Sequence, residues 1–222
     1  MRKLIKGIVD FRKNLLKDYR NNFSKLALRQ SPDALFVACC DSRVVPNTFA
    51  SSDPGDLFVL RNIGNLIPPC CSESQGNCQV DASVAATIEF SLLGLGVQDI
   101  VICGHSDCGA MQALIENASN TTCSLPSLNI WLEYAASSYE RFKNSALKNI
   151  DLSSCNLLSR INVLQQLDNL KTYPLVMERL QCNKLRIHGW WFDLATANVY
   201  YYDQNSEEFV LIDESEAKNI LI

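Results

Sequence analysis

The chain has 222 residues, 47% of them apolar, and a formal net charge of −4. That is enough apolar material for a substantial core, and without a basic block nothing suggests a nucleic-acid surface. No stretch approaches the ~18 uninterrupted apolar residues of a membrane span, and charges break every short apolar run near the N-terminus, so neither a membrane partner nor an export signal is expected.

Residues 1–28 place Leu4, Ile8, Phe11, Leu15 and Tyr19 on one stripe of a helix, with Lys and Arg on the other faces. Two readings fit this stripe: a solvated surface helix, or an arm packed on a second subunit. Ala34–Cys39 and Leu57–Leu60 are short, apolar and bounded by Pro, Asp, Ser or Gly, the pattern of buried strands. Residues 67–79 hold two prolines and Gly76 and predict a loop. Val80–Leu93 predicts a helix with Val84, Ile88 and Leu92 on one side, ended by Gly94 and Gly96. Asp99–Cys103 is the next predicted strand, and a helix is expected over Gly109–Asn117. Residues 118–124 are turn-like. Leu125–Phe142 and Leu157–Leu170 predict helices, and Pro174 can open another. Lys184–Asp193 and Val199–Tyr202 read as strands, followed by a charged tail.

Strands alternating with helices predict an α/β fold: a mostly parallel β-sheet flanked by helices, with an antiparallel edge strand from the last hairpin. Residues 1–222 are expected to form a single domain, with 1–28 as an N-terminal helical arm. In such sheets, sites form at the carboxyl ends of strands. Cys39 closes the first strand, and His105 and Cys108 follow the third, so neighbouring strands would bring all three to one edge.

The chain has ten cysteines and two histidines. A chain this long does not need a disulfide framework, so a reduced, cytoplasmic setting is expected, with some thiols on metal and others packed. Two thiolates and one imidazole form a zinc set that leaves one coordination position for water, the mark of a catalytic rather than a structural site. In Cys39-Cys40-Asp41-Ser42-Arg43, alternate residues of an extended segment share a face, so Arg43 can clamp Asp41 and keep it ionised. In Gly104-His105-Ser106-Asp107-Cys108-Gly109, His-x-x-Cys delivers two ligands within one turn, and the Gly109 amide starts a helix where anions are favoured. The competing reading of this set is a structural zinc or buried free thiols. His188, inside an apolar strand, is expected to be a packed core histidine. Cys40 is expected to be a packed thiol facing away from Cys39, and Cys70, Cys71 and Cys78 to be exposed loop thiols.

At these residues the chain resembles the β-class carbonic anhydrases, and in detail their plant-like and bacterial branch, which includes cyanate-associated enzymes. The blocks ACCDSRVVP, PGDLFVLRNIGNLIPP, SVAATIEF, DIVICGHSDCGAM and LRIHGWWFD carry the likeness in order over nearly the whole sequence. The resemblance implies reversible hydration of carbon dioxide to bicarbonate and a proton by a zinc-bound hydroxide, with one zinc per subunit. It implies the ligands Cys39, His105 and Cys108, the catalytic pair Asp41 and Arg43, and the substrate-pocket residues Gln30, Phe58 and Gly109. The glutamine is implied to come from a partner subunit, so a homodimer or homotetramer is expected. Phe90 stands where the plant enzymes carry a tyrosine. Where some bacterial enzymes of the family carry a bicarbonate-sensing Trp, Arg and Tyr, this chain has Phe36, Arg61 and Phe192, which resembles the branch without that inhibitory site. A rival within the same scaffold is hydrolysis of carbon disulfide or carbonyl sulfide; a non-catalytic zinc-binding protein is another. A nucleobase deaminase needs H-x-E and P-C-x-x-C, and neither occurs.

Overall fold

The computed structural model describes residues 1–50, 53–70, 81–118, 125–145 and 152–220. The strands are β1 (Ala34–Cys39), β2 (Leu57–Asn62), β3 (Asp99–His105), β4 (Arg186–Asp193), β5 (Asn198–Asp203) and β6 (Glu208–Leu211). The helices are α1 (Arg2–Asn14), α2 (Leu16–Leu26), α3 (Pro46–Phe49), α4 (Ala82–Glu89), α5 (Gly109–Ala118), α6 (Pro126–Leu132), α7 (Ala136–Asn144), α8 (Ser154–Leu170), α9 (Pro174–Gln181) and α10 (Glu214–Ile220).

The sheet runs β2-β1-β3-β4-β5-β6. The first three pairings are parallel and the last two antiparallel. All six residues of β1 are buried, as expected for a strand paired on both sides with both faces covered. β2 departs from the buried strand predicted for it: it is an edge, and Val59 and Arg61 are exposed. Leu35, Val37, Ile100 and Ile102 on one face of the central strands pack with Ile88 and Leu92 of the α4 segment and Val163, Leu167 and Leu170 of α8. On the opposite face, Phe36, Ala38, Val101, Cys103 and Phe192 form a second core cluster.

The helix expected over 80–93 is α4 followed by a wider turn at Phe90–Gly94, with Asp81 capping it by accepting from the Val84 amide. The single helix expected over 125–142 is α6, one tight turn at Glu133–Ala135, and α7. The N-terminal stripe is two helices that part at Leu15; no residue of α1 is fully buried, and Leu4, Ile5 and Ile8 are exposed. The charged tail is corrected most: β6 and α10 form there. The Asp203 carboxylate accepts from the Asn205 and Ser206 amides and turns the chain back, so that Glu208–Leu211 pairs with β5. The four-residue apolar run was too short and too acidic at its start to read as a strand. Cys71, Cys78 and most of the predicted 67–79 loop and 118–124 turn lie outside the described residues.

Candidate metal centre and active site

β1 and β3 are parallel neighbours, so their carboxyl ends lie side by side, with Ala38 opposite Cys103. Cys39 closes β1, His105 closes β3, and Cys108 follows one turn later at the start of α5. Asp107 makes that turn in the left-handed region, with φ of 51°, and its amide donates to the Asn156 side chain at 2.8 Å. The three donor atoms lie within 4.8 Å of one another, and all three residues are buried.

The chemistry of the set fits a tetrahedral zinc. His105 Nδ1 lies 2.8 Å from the Ser106 carbonyl oxygen. A carbonyl only accepts, so Nδ1 carries the proton and Nε2 presents its lone pair. Nε2 is buried and has no hydrogen-bond partner among the described residues, an arrangement that a cation would satisfy. The Cys108 thiol hydrogen bond draws Cys39 well below the ordinary thiol range despite its burial, aided by the Gly64 N–H at 3.4 Å. The same bond to Cys39, together with burial, pushes Cys108 up, while the Ala110 and Met111 amides of the first turn of α5 favour its thiolate. A thiol lowered in this way suits metal binding, which takes the thiolate.

Second contacts hold these candidate ligands in place. Ser159 Oγ donates to the His105 carbonyl at 2.7 Å and accepts from the Trp191 indole at 3.2 Å. This contact requires α8 to lie close against β3. A Cβ on Gly104 would stand 2.7 Å from Val163 Cγ2 and 3.2 Å from the Ser159 carbonyl, so glycine is required there. Arg61 donates to the Cys39 carbonyl at 2.9 and 3.0 Å and to the Asp41 carbonyl at 2.7 Å, tying the end of β1 to the edge strand.

Arg43 clamps Asp41 as predicted, but by a different geometry. The segment is a turn, closed by the Val44 amide on the Asp41 carbonyl, not an extended face. Asp41 Oδ1 accepts from the Arg43 backbone amide at 2.9 Å and from Nε at 3.0 Å, and Oδ2 accepts from Nη2 at 2.8 Å. The side chain of an Asp two residues earlier meets its own backbone in this way because it is short. The guanidinium bonds hold the Asp41 carboxyl far below the ordinary range, so it stays an acceptor. Arg43 also donates to the Asp107 carbonyl at 3.2 Å, linking the two ligand-bearing turns.

Gly109, the first residue of α5, is exposed, with no atom within 4 Å of where a Cβ would lie. A cavity of about 500 Å³ opens beside it, lined by Asp107, Gln112, Ile115 and Cys155 among others. Gln30 and Phe58 are not brought to this end. Phe58 pairs with Leu35 near the start of β1, whereas Cys39 pairs with Asn62. At about 3.3 Å per residue the four steps from Phe58 to Asn62 span about 13 Å. Gln30 precedes β1 altogether and is exposed. Phe58 instead contacts Phe90, with ring centroids 5.8 Å apart.

Other expectations are corrected. His188 is half-buried, not packed in the core, and its Nε2 lies 2.8 Å from Asp99, which Arg186 also grips. Cys40 is exposed rather than packed, because β1 ends one residue earlier. Cys70 is half-buried. At the three bicarbonate-sensing positions, Phe36 and Phe192 are buried, and Phe49 stacks on Phe192 at 4.5 Å. The Arg61 contacts noted above all run to backbone carbonyls. Ser159 gave no sequence signal, and Arg61 was marked only as a bicarbonate-sensing position: both act on carbonyls of distant segments, and nothing local marks such a contact.

A family model for carbonic anhydrases matches residues 34–199. A carbonic anhydrase of Pseudomonas aeruginosa is 39% identical over 215 residues, covering 96% of this chain and 93% of its own length. Beta carbonic anhydrase 1 of Caenorhabditis elegans is 32% identical over 248 residues, covering 100% and 92%. Among solved structures, the beta-carbonic anhydrase CcaA superposes with a TM-score of 0.85 at 34% identity, over 96% of this chain and 99% of that one. One of two tetrameric beta-carbonic anhydrases of Sordaria macrospora superposes with a TM-score of 0.76 at 25% identity, over 90% of this chain and 95% of that one. With its ligand-ready cysteines and histidine at the strand ends and these relatives along nearly its full length, the chain belongs to the β-class carbonic anhydrases.

Proposed function

We propose that Cys39, His105 and Cys108 hold one zinc ion and that the chain uses it to interconvert carbon dioxide with bicarbonate and a proton. The observation that carries this reading is the His105 Nε2 lone pair, buried and unpaired, facing two buried sulfurs. Zinc held by three protein ligands keeps an open position and supplies the Lewis acidity that ionises water near neutral pH.

The residues of the chain do the rest. Asp41, kept ionised by Arg43, accepts a hydrogen bond from the attacking oxygen and aims its lone pair at carbon. The Gly109 amide, at the start of a ten-residue helix, offers an N–H to the oxygen on which negative charge develops. Arg61 and Ser159 keep the ligand-bearing turns in register. Gln30 and Phe58 belong to the pocket of a second copy of this chain. The strand register supports this, since within one chain they lie at the opposite end of the sheet from Cys39. The chain therefore acts as one catalytic domain over 1–222 in a homodimer or homotetramer, with 1–28 as its arm. The tetrameric Sordaria relatives and the exposed apolar stripe of α1 support assembly. No helix among the described residues is long and apolar enough to cross a membrane. The need for two reduced sulfurs favours a cytoplasmic setting.

Stopped-flow carbon dioxide hydration paired with zinc analysis tests the reading. Two thiolates neutralise the cation, so the rate is expected to rise from acid toward mildly alkaline pH. Cys39→Ser is expected to lose zinc and activity together. Full zinc content with full activity in that variant would remove Cys39 from the site, and turnover of carbonyl sulfide but not carbon dioxide would replace the substrate.

A further inference from the structure

The Gly64 N–H that donates to Cys39 Sγ belongs to the peptide joining Ile63 and Gly64. The carbonyl of that same peptide, Ile63 O, accepts from the Trp131 indole N–H at 2.7 Å. Indole, peptide and sulfur therefore form one chain of hydrogen bonds: Trp131 Nε1–H to Ile63 O, then Gly64 N–H to Cys39 Sγ at 3.4 Å. A hydrogen bond accepted by an amide oxygen polarises the amide and strengthens its N–H as a donor, so such chains are cooperative.

The next peptide is fixed as well. Asn162 Nδ2 donates to the Gly64 carbonyl at 3.0 Å, while its Oδ1 accepts from Ser138 and Gln166. With both flanking peptides held, Gly64 takes φ of +79°, in the left-handed region that favours glycine. A Cβ there would also stand 3.1 Å from Ala110 Cβ, on the first turn of the helix that follows Cys108. The turn is thus wedged between the two sulfur-bearing segments, and one of its ends is tied to Trp131. Trp131 sits on α6, more than sixty residues from the turn in sequence, and packs against the cluster that holds Cys39 and Cys108.

We propose that Trp131 is a positioning residue for the metal centre: its indole N–H orients and polarises the 63–64 peptide so that the Gly64 N–H is aimed at the Cys39 sulfur and tunes it as a metal donor. The inference rests on the zinc reading given above. It assigns the indole a role distinct from packing, although Trp131 also packs against the core and edge-on to Tyr134.

The test is Trp131→Phe, which keeps an aromatic ring and deletes the N–H, with cobalt(II) replacing zinc in the full-length protein. Wild type is expected to take up one cobalt per chain and show thiolate-to-cobalt charge-transfer absorption. In Trp131→Phe the sulfur loses its polarised donor, so that band is expected to move to lower energy and metal affinity, by chelator competition, to fall about 10-fold. Leu132→Ala, a buried neighbour on α6, is expected to lower thermal stability and leave the band in place. A second measurement needs no variant: in cadmium-113-loaded, nitrogen-15-labelled wild type, the Gly64 amide should show scalar coupling to cadmium across the sulfur. A wild-type band that Trp131→Phe leaves unmoved, or a missing Gly64–cadmium coupling, would overturn the inference alone. Cobalt bound by wild type without any thiolate band would remove the zinc reading, and the inference with it.

Discussion

Arg43 grips Asp41 with both arms of its guanidinium and with its own backbone amide, so the carboxylate cannot turn without breaking three hydrogen bonds. The pair sits two and four residues beyond Cys39, where a freed carboxylate would compete for the metal. Arg43 is more than half exposed, so the clamp adds little to overall stability; its consequence is orientation.

Arg43→Ala is therefore expected to fold normally and to lose about 100-fold in kcat/KM, the order of loss that follows a small misplacement of a reacting group. A crystal structure of the zinc-loaded variant is expected to show an Asp41 oxygen on the metal. Solvent alone at that position, with Asp41 unmoved, would contradict the account.

Gly104→Ala is expected to destabilise the fold by about 1–3 kcal/mol in urea unfolding, the usual cost of forcing an extra methyl into a packed core. The added methyl meets Val163 and the Ser159 backbone, and pushing α8 away also loosens the Ser159 bond to the His105 carbonyl. Wild-type stability in this variant would mean that the helix yields freely.

Asp99 gives a pH signature far from the metal. The Arg186 hydrogen bonds, with a smaller share from His188, hold its carboxyl below the ordinary range. A carboxylate lowered in the folded state contributes stability that is present above its unfolded value of about 3.9 and lost as pH falls through the folded value. Asp99→Asn should thus cost up to about 1 kcal/mol at neutral pH, and its gap to wild type should close below about pH 4. A gap of equal size at pH 7 and pH 3 would show that the ion pair is not its source.

Hybrid oligomers test where Gln30 and Phe58 act. A chain carrying Gln30→Ala and Phe58→Ala keeps its own metal ligands, and a Cys39→Ser chain keeps its own Gln30 and Phe58. Each alone is expected to be impaired. Co-assembled, they should regain hydration activity, since the second chain completes the pocket of the first. No recovery in verified hybrids would place both residues in their own chain's pocket.

The strand ends that carry the site were legible because parallel strands, buried on both faces, read as continuous apolar runs. Ala34–Cys39 matches to the residue, and the third strand was short only by Gly104 and His105. The Asp41–Arg43 pairing was legible too, but not its turn, since two residues of spacing fit both an extended face and a side chain folded onto its own backbone. His188 was misplaced because an apolar strand says nothing about what lies beside its first residues; Asp99, across the parallel register, draws it half out of the core.

By itself the sequence determined the donor set, the α/β alternation and the family, because ligand spacing and hydrophobic period are local properties of the chain. Only the tertiary structure decided that β2 is an edge, that Gln30 and Phe58 lie a strand's length from Cys39, and that Trp131 and Ser159 act on the site. Those outcomes depend on which distant segments become neighbours, and a backbone carbonyl waiting for a donor leaves no mark on the residue that carries it.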